Sequence, residues 1–508
     1  KLYNTGRMGV YSYVFLYLLI SSYFCCYVTE KTKFNNIFSK DIPKYQRKYD
    51  DPVEPGYPVI LVPGFGGSRL EAKLNKSSTI HFFCSKTTAD YYDIWLNIQE
   101  FTIGTIDCFV DNMRMVFNNT TKKSDNSPGV DIKTGEFGYD TSTVEWLDSV
   151  HIPQANYFAS IADALVSWGY KRGKTIRAAP FDWRLKPSEM DDFFIKLKLT
   201  IKRASWFNMG RKVVLLGHSL GNIHINYFLH NYVDKEFKDT FIQSHIALAA
   251  PWAGSMQIVK LLVSGYNMEF YRIFLAPSKL RIMQRTWGSS YLLYPKEPAW
   301  KKDEVFAASP KNNYTLNNIE EFFKDLNYTE GYEQYLAAQE KTERLMDTPD
   351  IQTHCINGIG IKTPEIYKWS ELYYPDYPPN TVINGDGDGT VNKKSLDICK
   401  MWSKDSNKVT VDEIENTNHI FKNFTGNSMG ICNMCKSLVQ NIKTNLNKGD
   451  SDILKEAYKE CDIVTRNNII LDPMCKQLVC REVNYIIHEL RNNRTADEIC
   501  QDLRLCTL

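Results

Sequence analysis

The sequence predicts an α/β fold built on a buried parallel sheet, followed by a small all-α module held by disulfides. Three observations predict it. The apolar run Val213-Val214-Leu215-Leu216 turns abruptly into a helical pattern through Gly217-His218-Ser219-Leu220-Gly221. A second run, Pro58-Val59-Ile60-Leu61-Val62, ends in the glycine-rich turn Pro63-Gly64-Phe65-Gly66-Gly67-Ser68. Continuous apolar runs of this length suit strands covered on both faces, as in parallel sheets. Third, of the 13 cysteines, seven lie between Cys432 and Cys506, in a segment with helical spacing and no strand-like runs.

At 508 residues the chain is too long for one ordinary core, so at least two domains are expected. Composition is globular, with 43% hydrophobic and 24% charged residues. A net charge of +2 and the absence of a long basic tract argue against a nucleic-acid partner. Oligomeric state is not legible. Val10 to Val28 is almost uncharged and aromatic-rich, and Lys1 and Arg7 precede it. Residues 1–29 therefore suit a secretory signal or an uncleaved anchor; a spanning helix needs about 20 apolar residues, so length does not separate the two. The polar residues 30–55 follow as a linker. Sequons at Asn75, Asn118, Asn119, Asn313, Asn327, Asn423 and Asn493 agree with export.

A buried strand turning sharply into a helix through G-x-S-x-G is the nucleophile elbow of α/β-hydrolases, and it leaves the serine hydroxyl exposed above the sheet. Chain order supports this reading. An acidic turn, Gly385-Asp386-Gly387-Asp388-Gly389-Thr390-Val391, comes next, and His419 follows the strand-like Val409-Thr410-Val411. Ser, then acid, then His is the order this fold uses. A serine hydroxyl needs a positioned histidine to take its proton, and the histidine needs a carboxylate to fix its tautomer. His218 is fixed within the elbow and points away, while His245 and His354 sit in apolar runs and read as core groups. Asp386 and Asp388 both remain candidates for the acid. A calcium loop starting at Asn384 fails, because its closing position is Ser395 and no helix pair brackets it. The Gly64–Ser68 turn lacks the Lys-Ser/Thr of a phosphate loop. In this fold such a turn supplies one oxyanion N–H and the residue after the nucleophile supplies the other, which nominates Phe65 and Leu220. Asp182 and Arg184 read as a buried ion pair. The sheet pattern lapses between about residues 252 and 351, which fits a cap over the cleft.

From Tyr57 to about Thr425 the chain resembles the lecithin:cholesterol acyltransferase and lysosomal phospholipase A2 family. The matching words run in order: Val62-Pro63-Gly64-Phe65-Gly66-Gly67-Ser68-Arg69-Leu70-Glu71, Trp95-Leu96-Asn97, Ala179-Pro180-Phe181-Asp182-Trp183-Arg184, the elbow itself, Ala250-Pro251-Trp252-Ala253-Gly254, Gly358-Ile359-Gly360-Ile361-Lys362-Thr363-Pro364 and Gly387-Asp388-Gly389-Thr390-Val391-Asn392. The resemblance implies an α/β-hydrolase domain over residues 56–425, with Asp388 as the acid beside Ser219 and His419. It implies disulfides Cys84–Cys108 and Cys355–Cys399. It also implies a lipid-inserting loop carrying Ile94 and Trp95. The expected activity is phospholipase A or O-acyltransferase chemistry through an acyl-enzyme, with no cofactor and no metal. The expected partners are phospholipid, a membrane surface and an acceptor alcohol. A neutral-glyceride lipase or a non-catalytic lipid-binding or lipid-transfer protein are the alternatives.

In residues 430–508, the C-x-x-C at Cys432 and Cys435 lacks a second close pair for zinc and a βαβ context for redox work, whereas a disulfide scaffold fits a thin-cored exported module. This segment resembles a saposin B-type domain, most closely in Glu498-Ile499-Cys500-Gln501-Asp502-Leu503-Arg504-Leu505-Cys506. The family pattern implies Cys432–Cys506, Cys435–Cys500 and Cys461–Cys475, leaving Cys480 as a departure read as a free thiol. It also implies lipid contact.

Overall fold

Six short strands build the main sheet: β1 (Val59–Val62), β2 (Ile176–Ala178), β3 (Val213–His218), β4 (Ile242–Leu248), β5 (Thr353–Ile359) and β6 (Val409–Glu415). They pair in parallel in the order β6-β5-β4-β3-β1-β2. β1 and β3 are buried along their whole length, so the continuous apolar runs follow from cover on both faces. The computed structural model describes residues 56–97, 100, 105–151, 155–267, 276–419, 428–465, 479, 483 and 486–502. The N-terminal segments 1–29 and 30–55 lie outside them, as do Asn423, Cys475, Cys480 and Cys506.

Register decides what meets at the catalytic end. Val62 of β1 is level with Gly217 of β3, so the Pro63–Ser68 turn leaves the sheet beside the elbow. His218 is level with Leu248 of β4, and Ile359 of β5 with Glu415 of β6. The chain after every one of these strands therefore emerges at the carboxyl edge, where open α/β sheets carry their sites.

Helix α1 (Asp191–Phe207) buries Phe194, Leu197, Ile201 and Ala204 at helical spacing and opens on Asp191 and Asp192, which suit the positive end of the helix dipole. Helix α2 (Leu220–Asn231) is buried from Leu220 to Leu229, as expected of a helix covered on all sides. Helix α3 (Met256–Ser264) is capped by Ser255, whose hydroxyl accepts from Gln257 N. Beyond α3, the described residues up to Gln352 hold several short helices between Pro277 and Met346 and two-residue strands, Ala307–Ala308 and Asn313–Tyr314. These join Thr363–Lys368 and Thr381–Gly385 in a second, four-stranded sheet. Strands that short carry no readable alternation, which is why the sequence suggested only a lapse of pattern. Trp287, Tyr291, Tyr294 and Trp300 from this region are buried in the same core as the main sheet.

One expectation is corrected here. Ile94 and Trp95 lie in the strand Tyr92–Trp95 of a three-stranded antiparallel sheet, and Trp95 is only 6% exposed. Its indole Nε1 donates to Gly66 O at 2.8 Å, and its ring meets Trp183 edge-on at 5.2 Å. A buried indole already spent on the core is not a lipid anchor in this conformation. The apolar side chains near Cys84 that do face solvent are Ile80, Phe82 and Phe83, with Phe82 98% exposed. Cys84–Cys108 and Cys355–Cys399 are both disulfides.

Contacts divide the chain into two units, one of Tyr57–Ala159 with Arg172–Lys422, the other holding Ser160–Lys171 and the segment from Asn423 onward. The second unit holds helices α4 (Ser428–Thr444), α5 (Asp450–Thr465) and α6 (Ala496–Asp502), and the disulfide Cys435–Cys500 joins α4 to α6. Leu438, Val439 and Ile442 of α4 are buried, as are Ile453 and Ala457 of α5. Cys461 is disulfide-bonded, but Cys475, Cys506 and the Cys432 side chain are outside the described residues. Among the described residues no helix is long and apolar enough to cross a membrane.

Candidate active site

Ser219 follows the last residue of β3 and caps α2 with φ 52° and ψ −127°, a left-handed conformation that L-residues rarely adopt. Glycines make the bend possible through close approach. A Cβ at Gly221 would stand 2.3 Å from Pro63 O, and one at Gly64 would stand 2.7 Å from Ser219 Cβ. Asn222, one turn into α2, ties the elbow down: its Nδ2 donates to Ser219 O at 3.1 Å and to Leu248 O at 2.9 Å. His245 Nε2 donates to Asn222 Oδ1 at 3.0 Å, so this buried histidine braces the elbow from the core. His354 Nδ1 lies 2.8 Å from Thr410 Oγ1 and is likewise occupied.

The structure brings Ser219, His419 and Asp388 together. Ser219 Oγ lies 2.9 Å from His419 Nε2, and His419 Nδ1 lies 2.7 Å from Asp388 Oδ2. A carboxylate only accepts, so Nδ1 carries the proton and Nε2 is free to take one from Ser219. Asp388 is held rather than merely nearby. Its Oδ1 accepts from Thr390 N at 2.9 Å and Val391 N at 2.7 Å, and its backbone O accepts from His419 N at 2.8 Å. Asp386 does other work: its Oδ1 accepts from Gly360 N at 2.7 Å and Gly387 N at 2.8 Å, which closes the turn. The N-terminus of α3 grips the same turn. Ser255 Oγ donates to Thr390 O, and Gln257 Nε2 donates to Gly389 O at 3.2 Å.

Phe65 N and Leu220 N have no acceptor among the described residues, and Gly67 N donates back to Gly64 O at 2.9 Å to shape the first loop. Phe65 packs on Trp183 at 5.1 Å and Trp287 at 5.6 Å, so its peptide sits on a rigid aromatic base. Arg184 pairs with Asp182 at 2.6 Å and also donates to Asn126 Oδ1 at 2.7 Å, a structural junction. Sequence reasoning missed Asn222, Ser255 and Gln257, because each acts through a fold contact that no local motif announces. Among the described residues no group of three or more His, Cys, Asp and Glu is placed to hold a metal ion.

A serine in a strand–turn–helix elbow, a histidine and a buried aspartate on a parallel sheet define a serine hydrolase of the α/β-hydrolase class. The chain belongs to the lecithin:cholesterol acyltransferase family, whose model matches residues 91–437. A second model, saposin-like type B region 2, matches residues 473–506. The chain is 37% identical over 364 residues to the rat lysosomal phospholipase A and acyltransferase, covering 72% of this chain and 86% of the relative. It is 38% identical over 372 residues to the chicken phosphatidylcholine-sterol acyltransferase, covering 72% and 88%.

Proposed function

We propose that this chain is a serine phospholipase A and O-acyltransferase working at a membrane surface in the secretory pathway or a lysosome-like lumen. The observation that carries the reading is the hydrogen-bonded row Ser219–His419–Asp388, set in a chain of this family. Ser219 Oγ attacks an ester carbonyl of the phospholipid while His419 Nε2 takes its proton. Asp388 stabilises the imidazolium that results. Phe65 N–H and Leu220 N–H receive the oxyanion, a type of donor each worth about 10²–10³ in rate. The intermediate collapses, His419 returns the proton to the departing lysophospholipid alkoxide, and the acyl group stays on Ser219. Water or an alcohol then attacks, with His419 again as base. None of these steps calls for a metal.

Surface features support a lipid interface. Ile80, Phe82 and Phe83 form an exposed apolar cluster beside the Cys84–Cys108 bridge. The saposin-like match adds a module of lipid-handling type on the same chain. Export is supported by the sequon asparagines, since Asn75, Asn118, Asn119, Asn313, Asn327 and Asn493 are all exposed.

The test uses purified protein, mixed phospholipid vesicles and mass spectrometry of the products, with and without a sterol or long-chain alcohol. Wild type releases fatty acid or ester, and Ser219→Ala releases neither. Equal product from the two proteins would remove the reading.

A further inference from the structure

We infer that His218 and Tyr157 form a neutral hydrogen-bonded bridge that positions the oxyanion loop and the backbone of His419 as one unit. The inference rests on the acyl-transfer reading above. Both are positioning residues, since neither reaches the reacting atoms.

His218 is the last residue of β3, so the sequence fixes it next to the nucleophile. Its ring is buried, edge-on to Tyr157 at 5.3 Å and 4.9 Å from the ring of His419. His218 Nε2 lies 2.9 Å from His419 O. A carbonyl can only accept, so Nε2 carries the proton. Nδ1 of a neutral ring must then accept, and Tyr157 Oη stands 2.5 Å away to donate to it. Tyr157 Oη accepts in turn from Gly64 N at 2.8 Å. The direction of every bond in this chain is thereby set, from Gly64 to Tyr157 to His218 to His419.

Burial, with His419 close by, pushes the His218 pKa down to about 3, and that agrees with the neutral tautomer. Were the ring protonated, Nδ1 would become a donor and the buried Tyr157 proton would lose its acceptor. The loop is built around this phenol. A Cβ at Gly67 would stand 2.6 Å from the Tyr157 ring, and one at Gly64 2.9 Å from its hydroxyl.

Two catalytic parts are coupled by the arrangement. Gly64 N–H is one residue before Phe65, the proposed oxyanion donor. His419 is pinned on both sides of its backbone, its O by His218 and its N–H by Asp388 O. A ring that stays uncharged 4.9 Å away also leaves His419 free to become the imidazolium.

The full chain tests this with a soluble short-chain nitrophenyl ester, which takes the membrane out of the measurement. The proteins are wild type, Tyr157→Phe, His218→Phe, His218→Gln and Ser219→Ala. Misplacement of this kind costs up to about a hundredfold in rate, so Tyr157→Phe and His218→Phe lose about ten- to a hundredfold in kcat, with KM within about twofold. Gln can donate to His419 O and accept from Tyr157, so His218→Gln recovers most of the loss. Wild-type kcat in Tyr157→Phe overturns the bridge even if His218→Phe does not fold. So does a loss confined to KM, or His218→Gln as impaired as His218→Phe in folded protein. These results leave the reading of Ser219 intact, whereas undiminished turnover by Ser219→Ala would overturn that reading itself.

Discussion

Ser219 accepts a backbone strain that costs on the order of 1–3 kcal/mol, and the surrounding hydrogen bonds from Asn222 and to Leu248 O hold it there. The histidines show how burial divides one residue type into several roles. His419 joins Ser219 and Asp388, His245 braces Asn222, and His224 sits in an aromatic box 4.7 Å from Phe181 with neither ring nitrogen hydrogen-bonded. Burial pushes the pKa values of His218, His224 and His245 down to about 3. An unfolded histidine takes up its proton below about 6.5, and these folded ones do so only near 3. Between those values the unfolded state binds more protons, so stability falls as pH falls, by up to about 1.4 kcal/mol per pH unit for each group. His224→Leu removes one such group without touching the catalytic row. Thermal melts at pH 7 and pH 4.5 should show a smaller drop for His224→Leu than for wild type. An equal drop would mean His224 does not stay neutral in the folded protein.

At the scale of elements, the acid turn is the part most in need of support, because Asp388 sits in the turn between the strand Thr381–Gly385 and the short helix Lys393–Leu396. Three devices hold it: the α3 N-terminus, the Asp386 turn bonds and the Cys355–Cys399 bridge. The bridge spans 44 residues, and closing a loop of that length stabilises by about 4 kcal/mol in the chain-entropy view. Replacing both cysteines by serine should lower the denaturation midpoint by a corresponding amount, measured in guanidinium chloride. An unchanged midpoint would show that α3 and the turn bonds suffice. The aromatic floor of Phe65, Trp183 and Trp287 does the same service for the Pro63–Ser68 turn, through packing rather than a covalent tie.

Over the whole molecule, a hydrolase unit and a disulfide-bonded helical unit share one chain, and only the former holds the catalytic row. If the second serves the interface, its removal should separate two activities that the same serine performs. Deleting residues 430–508 should lower turnover on phospholipid vesicles at least tenfold, by the loss of a second attachment point, while leaving a soluble short-chain ester nearly unaffected. Parallel loss or parallel retention on both substrates would refute the division of labour.

Much of this was legible before any coordinates. Local chemistry determined the elbow, the buried strands β1 and β3, the acid turn and the order of serine, acid and histidine, because glycine spacing and apolar runs are properties of neighbouring residues. The choice of Asp388 over Asp386 needed the family words, and the turn then gave the two carboxylates separate partners. Tertiary structure alone decided what is exposed and what is coupled. Trp95 and Phe82 are both aromatic residues of one apolar stretch, yet one is buried beneath Gly66 and the other stands in solvent. His218, Tyr157 and Gly64 are far apart in the chain and meet only because parallel register sets the end of β1 beside the end of β3. Periodicity encodes which face of an element is apolar; which distant atoms that face will meet is fixed only when the sheet closes its order.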